Sequence, residues 1–124
     1  GFFLNVHEGP QSISQSAGPG TSTVIRPGML ISDEPAVYRE GEYGIRIENL
    51  ILCAEDVTSS CGKFLKFETM SLCYIDRSLV DPGLMSREEI EWLNSYHSEV
   101  FLKLEPYLSD EERNWLMEKT RPVS

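Results

Sequence analysis

Hydrophobic and polar positions change period once along the chain. Up to about residue 80 the apolar side chains come in short, alternating runs punctuated by Gly, Pro and Ser, the signature of strands and turns. Residues 2–7 read as extended, and Gln11–Thr23, rich in Ser, Gly and Gln, reads as a surface loop. Met29–Tyr38 and Tyr43–Ala54 read as two strands joined by the polar tip Arg39-Glu40-Gly41-Glu42. Glu55–Gly62 reads as a loop, and Phe64–Ile75 as a third strand that ends before Asp81-Pro82-Gly83.

Beyond that point the spacing becomes helical. Ser86-Arg87-Glu88-Glu89 forms a capping box, in which Ser86 accepts near Glu89 and Glu89 reaches back. Ile90, Leu93, His97, Val100, Phe101, Leu104 and Leu108 then recur at three- and four-residue steps. Pro106 ends or kinks this helix near Glu105, since proline lacks the N–H that a helix interior uses. Ser109-Asp110-Glu111-Glu112 opens a shorter helix with Trp115 and Leu116 inward. The expectation is an α+β chain, with sheet in residues 1–80 and helices in residues 81–124.

Composition narrows the function. The 124 residues carry 11 Lys and Arg against 20 Asp and Glu, a net charge of −9, which repels a phosphate backbone and argues against a nucleic-acid partner. No apolar run approaches the roughly 20 residues of a membrane helix, so no membrane partner is expected. Cys53, Cys61 and Cys73 are odd in number and form no CxxC pair, which points to reduced thiols and a cytoplasmic setting. The apolar opening Gly1-Phe2-Phe3-Leu4 reads as a cut from a longer protein.

The chemistry concentrates in the hairpin. Glu34 and Glu48 lie at equal distance on either side of Gly41, so a symmetric hairpin places them opposite one another. Opposed side chains start about 4.5–5.5 Å apart at Cβ, and like charges placed so repel. The neighbouring Met29, Leu30, Ile31, Ile45, Ile47, Leu50, Ile51 and Leu52 suggest a mostly buried setting, in which two unpaired carboxylates cost several kcal/mol. A cation must lie between them. Arg46, on the same face as Glu48, is one candidate; a pair of bound metal ions is the other.

Asn5-Val6-His7-Glu8-Gly9-Pro10, Pro27-Gly28-Met29, Asp33-Glu34-Pro35 and Gly44-Ile45-Arg46-Ile47-Glu48-Asn49 follow in that order. In this order and spacing the chain resembles the C-terminal part of an Xaa-Pro aminopeptidase (aminopeptidase P) of the pita-bread metallopeptidase family. Trp92-Leu93-Asn94 with Tyr96-His97 resembles the helical C-terminal extension of its longer, cytosolic members. The resemblance implies the C-terminal half of a pita-bread fold, an antiparallel sheet, followed by that extension. It implies a centre of two divalent ions, most often manganese, with Glu34 and Glu48 among the ligands. Glu34 would double as general base, His7 would bind substrate and relay protons, and Arg46 would hydrogen-bond a liganding carboxylate. The reaction implied is hydrolysis of the first bond of peptides with proline in second position, by a homodimer.

The family's remaining ligands, two Asp and one His, would precede Gly1, so this chain would hold half a site and be inactive alone. After Glu34-Pro35 the family usually continues Gly-Tyr-Tyr, where this chain has Ala36-Val37-Tyr38. Ala does not take φ > 0 cheaply, so the backbone after Glu34 is expected to differ. His97 reads as a packing residue, and Glu68 as lying near the site or facing solvent. Trp92, Tyr96, Phe101 and Trp115 offer more aromatic area than a short helical pair buries internally, as for a unit that covers the sheet or meets a partner. A dipeptidase acting on Xaa-Pro, or a non-catalytic pita-bread relative that binds peptides or proteins, are the alternatives.

Overall fold

The structure, a computed structural model, describes residues 8–14, 16 and 22–124. It divides into two compact units, Gly1–Ser71 and Leu72–Ser124. In the first, β1 (Leu30–Asp33), β4 (Asn49–Ser59) and β5 (Gly62–Thr69) form an antiparallel sheet in the order β1-β4-β5. Between β1 and β4 the chain makes a ribbon of β2 (Ala36–Arg39) and β3 (Tyr43–Arg46).

The two ladders share one register. Asp33 pairs with Asn49, and Ala36 pairs with Arg46. The same count carried through the gap puts Pro35 opposite Ile47 and Glu34 opposite Glu48, and the Ile47 N–H donates to the Pro35 carbonyl at 3.3 Å. The long first strand expected from the sequence is thus two strands, because Pro35 has no N–H to give a ladder. Its partner breaks at the same place. The tip turns at Gly41, whose φ of +72° is the left-handed conformation that glycine adopts without a Cβ clash. Ala36 needs no such conformation: it lies in regular strand, and no described non-glycine residue has positive φ.

Two expectations are corrected. Glu55–Gly62 is no loop, since β4 runs through Ser59, turns at Ser60-Cys61 and returns as β5. A register shift between Glu55 and Thr58 absorbs the irregularity. The third strand stops at Thr69 rather than Ile75. There the Leu50 N–H turns to the Ser71 hydroxyl at 2.6 Å, and the following residues join the helical unit.

Ile31, Ile51 and Cys53 share one buried face of the first unit. The opposite face, which carries the carboxylates, is open, with Leu30 and Leu50 more than 40% exposed, and Ile45 and Ile47 on the other side of the ribbon are equally exposed, so the buried setting expected around the carboxylates is not found.

In the second unit both capping boxes form. The Ser86 hydroxyl accepts from Glu89 N–H at 3.2 Å while Ser86 N–H donates to Glu89 at 2.7 Å, opening α1 (Arg87–Leu104). Ser109 and Glu112 repeat this at α2 (Asp110–Lys119). The 3-10 turn Glu105–Tyr107 separates the helices at Pro106. Tyr96, Val100 and Leu116 make the core, with Leu72, Tyr74 and Ile75 packed on it. Those three explain why the compact unit starts at Leu72, ahead of the first helix. Leu116 points inward as expected, but Trp115 does not: it is half exposed and meets the Tyr74 ring edge-on at 5.4 Å.

The segment Asn94–His97 acts as a clamp for backbone. Asn94 pairs both ways with Val123, at 2.7 and 2.9 Å. The Tyr96 hydroxyl donates to the Cys73 carbonyl at 2.6 Å, and His97 Nε2 accepts from the Ile75 N–H at 3.1 Å. His97 is fully buried, and its Nδ1 has no hydrogen-bond partner among the described residues. Burial first, and the Arg77 guanidinium second, hold its pKa below the ordinary imidazole value. A proton on Nε2 would face the Ile75 N–H donor to donor. Asp76 brings no compensation, because its carboxylate is engaged by Ser78, and Glu118 pairs with Arg77.

A depressed folded pKa means that the unfolded chain takes the proton first. The contribution of His97 is therefore intact above about pH 6.5 and declines as pH falls below that value toward the folded pKa. The protection factor of the Ile75 amide against hydrogen exchange should therefore fall on going from pH 7.5 to 5. An unchanged protection factor would refute this.

Candidate carboxylate–guanidinium site

The site lies on the open face of the hairpin. Glu34 follows β1, Tyr38 stands on β2, Arg46 ends β3, and Glu48 precedes β4. Side chains alternate faces along a strand, so positions 32, 34, 38, 46 and 48 come to one side.

Arg46 lies at the centre. Its Nη1 donates to Glu34 Oε2 at 2.6 Å and lies 3.8 Å from Glu48 Oε2. Its Nε and Nη2 both donate to the Tyr38 hydroxyl, at 3.1 and 2.8 Å. The Ser32 hydroxyl donates to the other Glu34 oxygen, Oε1, at 3.1 Å. The two carboxylates therefore converge on one guanidinium nitrogen, on the same side of the ribbon. The Tyr38 hydroxyl foremost, and behind it Glu34 and Glu48, raise the Arg46 pKa above its ordinary value.

Chemically this is a pair of hard oxygen donors with a fixed positive charge between them. Carboxylates of this kind suit manganese, magnesium or calcium more than soft metals. Among the described residues no group of three or more His, Cys, Asp or Glu side chains is arranged to hold a metal ion. Two carboxylates are thus what the described hairpin can offer to such a centre.

Glu34, Arg46 and Glu48 are brought together as read from the sequence. His7 lies outside the described residues. Glu68 is not in the cluster: it pairs with Leu52 in the ladder and forms an ion pair with Lys66 at 3.1 Å. Sequence motifs do not single out Tyr38 and Ser32, which the structure adds to the cluster. The signal for both was available, because the hairpin register that faces Glu34 with Glu48 also sets Tyr38 and Ser32 on that face.

Metallopeptidase family M24 matches residues 1–55, and the C-terminal region of peptidase M24 matches residues 63–123. The chain is 40% identical to the "Probable Xaa-Pro aminopeptidase P" of Coprinopsis cinerea, over 99% of this chain and 20% of that protein. It is 42% identical to the protein of the same name from Paracoccidioides brasiliensis, over 99% of this chain and 21% of the relative. Among solved structures it resembles the X-prolyl aminopeptidase of Caenorhabditis elegans, described as a cytosolic enzyme with a di-nuclear active site. There the identity is 35% and the TM-score 0.81, covering 97% of this chain and 20% of that one. The chain spans about a fifth of the length of the relatives it matches.

Proposed function

The chain belongs to metallopeptidase family M24 and has the fold of the C-terminal half of a pita-bread aminopeptidase, and from that premise we propose that it is the C-terminal part of a dimetal Xaa-Pro aminopeptidase. The observation that carries the reading is the convergence of Glu34 and Glu48 on one point of the hairpin face. The proposal assigns residues 1–80 to the catalytic domain and 81–124 to the helical extension, and takes the protein to be a cytoplasmic homodimer.

Glu34 and Glu48 would hold two divalent ions, manganese in this proposal, together with two Asp and one His contributed by the rest of the protein. The chemistry those ions supply when bound is polarisation of the scissile carbonyl and activation of water. Glu34 moves the proton. Its Oε2 is held by the Arg46 guanidinium, whereas Oε1 meets only a hydroxyl, which can turn from donor to acceptor. A proton taken up at Oε1 thus finds an acceptor in Ser32 Oγ. Arg46 balances the charge of both carboxylates and keeps Glu34 in one orientation. His7 binds the peptide and passes protons beside the centre. The substrates are peptides with proline in second position.

The test compares two proteins. The full-length protein loaded with manganese should release the N-terminal residue from an Xaa-Pro peptide. The 124-residue chain alone should show no turnover and, by calorimetry, no tight uptake of two ions. An inert full-length protein, or an active isolated chain, would overturn the proposal.

A further inference from the structure

Gly44 is a glycine whose conformation does not require one. The described glycines with positive φ are Gly28, Gly41 and Gly62, and a Cβ built on any of these three meets no atom within 4 Å. At Gly44 the reverse holds. It lies in strand β3 without a positive φ, yet a Cβ there would fall 2.5 Å from Tyr38 Cδ1 and 2.8 Å from Cε1. These are atoms of a rigid ring, so a methyl group at this position can be accommodated only if the whole ring moves.

The register explains the contact. Tyr38 pairs with Gly44 across the ribbon, and its ring atoms Cδ1 and Cε1 occupy the space that a side chain at position 44 would take. From that seat its hydroxyl reaches the next residue on the same face of β3, Arg46, and accepts from both Nε and Nη2. With two of its nitrogens held there, Arg46 presents Nη1 to Glu34 and Glu48.

We propose that Gly44 is a positioning residue: its missing side chain seats the Tyr38 ring, and the seated ring aims Arg46 at the two carboxylates. The inference rests on the reading of Glu34 and Glu48 as part of a catalytic centre. It goes further by assigning a role to a residue that bears no functional group and touches neither carboxylate.

The test is a double-mutant cycle in the full-length protein, with Gly44→Ala, Tyr38→Phe and the two combined. Losing a hydrogen bond to a charged group should lower kcat roughly ten- to a hundredfold in each single variant, with KM little changed. The double variant should be no slower than the slower single one, because both act through the same hydroxyl. Losses that multiply, or a Gly44→Ala enzyme within twofold of wild type, would overturn the proposal.

A readout apart from activity is the crystal structure of Gly44→Ala, in which the Tyr38 hydroxyl should lie beyond hydrogen-bond range of Arg46. The hydroxyl found in place would overturn the inference even if the wild-type protein cleaves no Xaa-Pro peptide, a result that counts against the proposed function instead. Should Gly44→Ala fail to fold, Tyr38→Ala added to it should restore folding by removing the ring. Failure of that rescue would also overturn the proposal.

Discussion

Replacing Glu34 by Gln in the full-length protein should lower kcat about a thousandfold, in the middle of the roughly 10²–10⁴ range over which acid–base groups contribute. Gln keeps the size of the side chain and can still accept from Ser32 or Arg46, so the fold of the hairpin has no reason to change. It cannot take up a proton, and it removes one negative charge from a pair that Arg46 balances at 2.6 and 3.8 Å. Rates are to be measured at saturating manganese, so that weakened metal affinity is separated from the chemical step. The two Arg46 bonds to Tyr38 should persist in the variant. Undiminished turnover would remove Glu34 from the mechanism and leave it an ion-pair residue.

Leu116→Ala should cost the helical unit about 2–5 kcal/mol, the usual range for truncating a buried leucine. Leu116 is the one buried residue of α2, 4% exposed, and meets Tyr96 and Val100 of α1. A helix of ten residues is marginal without tertiary contacts, and Leu116 is the only one of its side chains that is fully buried in making them. Met117→Ala is the control, because Met117 is half exposed and surface truncations seldom exceed about 0.5 kcal/mol. Urea unfolding followed by tryptophan fluorescence reads both, since Trp115 lies in α2 beside the anchor. Equal effects at 116 and 117 would refute the assignment.

What the sequence made legible follows from how local each signal is. The capping boxes at Ser86 and Ser109 need only neighbouring residues, and both form as expected. The hairpin register needed one assumption, symmetry about Gly41, and both ladders obey it. The strand breaks at Glu34-Pro35 and the extension of β4 through Val57 and Thr58 were less visible, because the polar Glu55-Asp56 and Ser59-Ser60 mask a strand that faces solvent on both sides. Hydrophobicity alone predicts Trp115 inward, although its neighbour Leu116 already fills that direction.

The candidate site was half legible. Charge repulsion between Glu34 and Glu48 demanded a cation, and Arg46 lies between them. Tyr38 gave no comparable demand, since a tyrosine on a strand satisfies ordinary propensity and its hydroxyl is content in water. Ser32 makes no such demand either, and the register alone sets both residues on the face of Glu34 and Glu48. The second half of the motif in α1 is structural: Asn94, Tyr96 and His97 hold backbone groups of distant residues, a role that depends on tertiary placement and leaves no periodic trace.

The shared register of the two ladders makes the Arg39–Tyr43 bend a ruler. Swapping amino acids there leaves the count untouched, so composition at the tip is free wherever Gly41 keeps its backbone. Adding or deleting one residue is another matter, because a slip by one turns every later side chain to the other side. Such an indel would send Arg46 and Glu48 away from Glu34 without altering any of the three. Length at this bend is therefore constrained as tightly as chemistry at the centre.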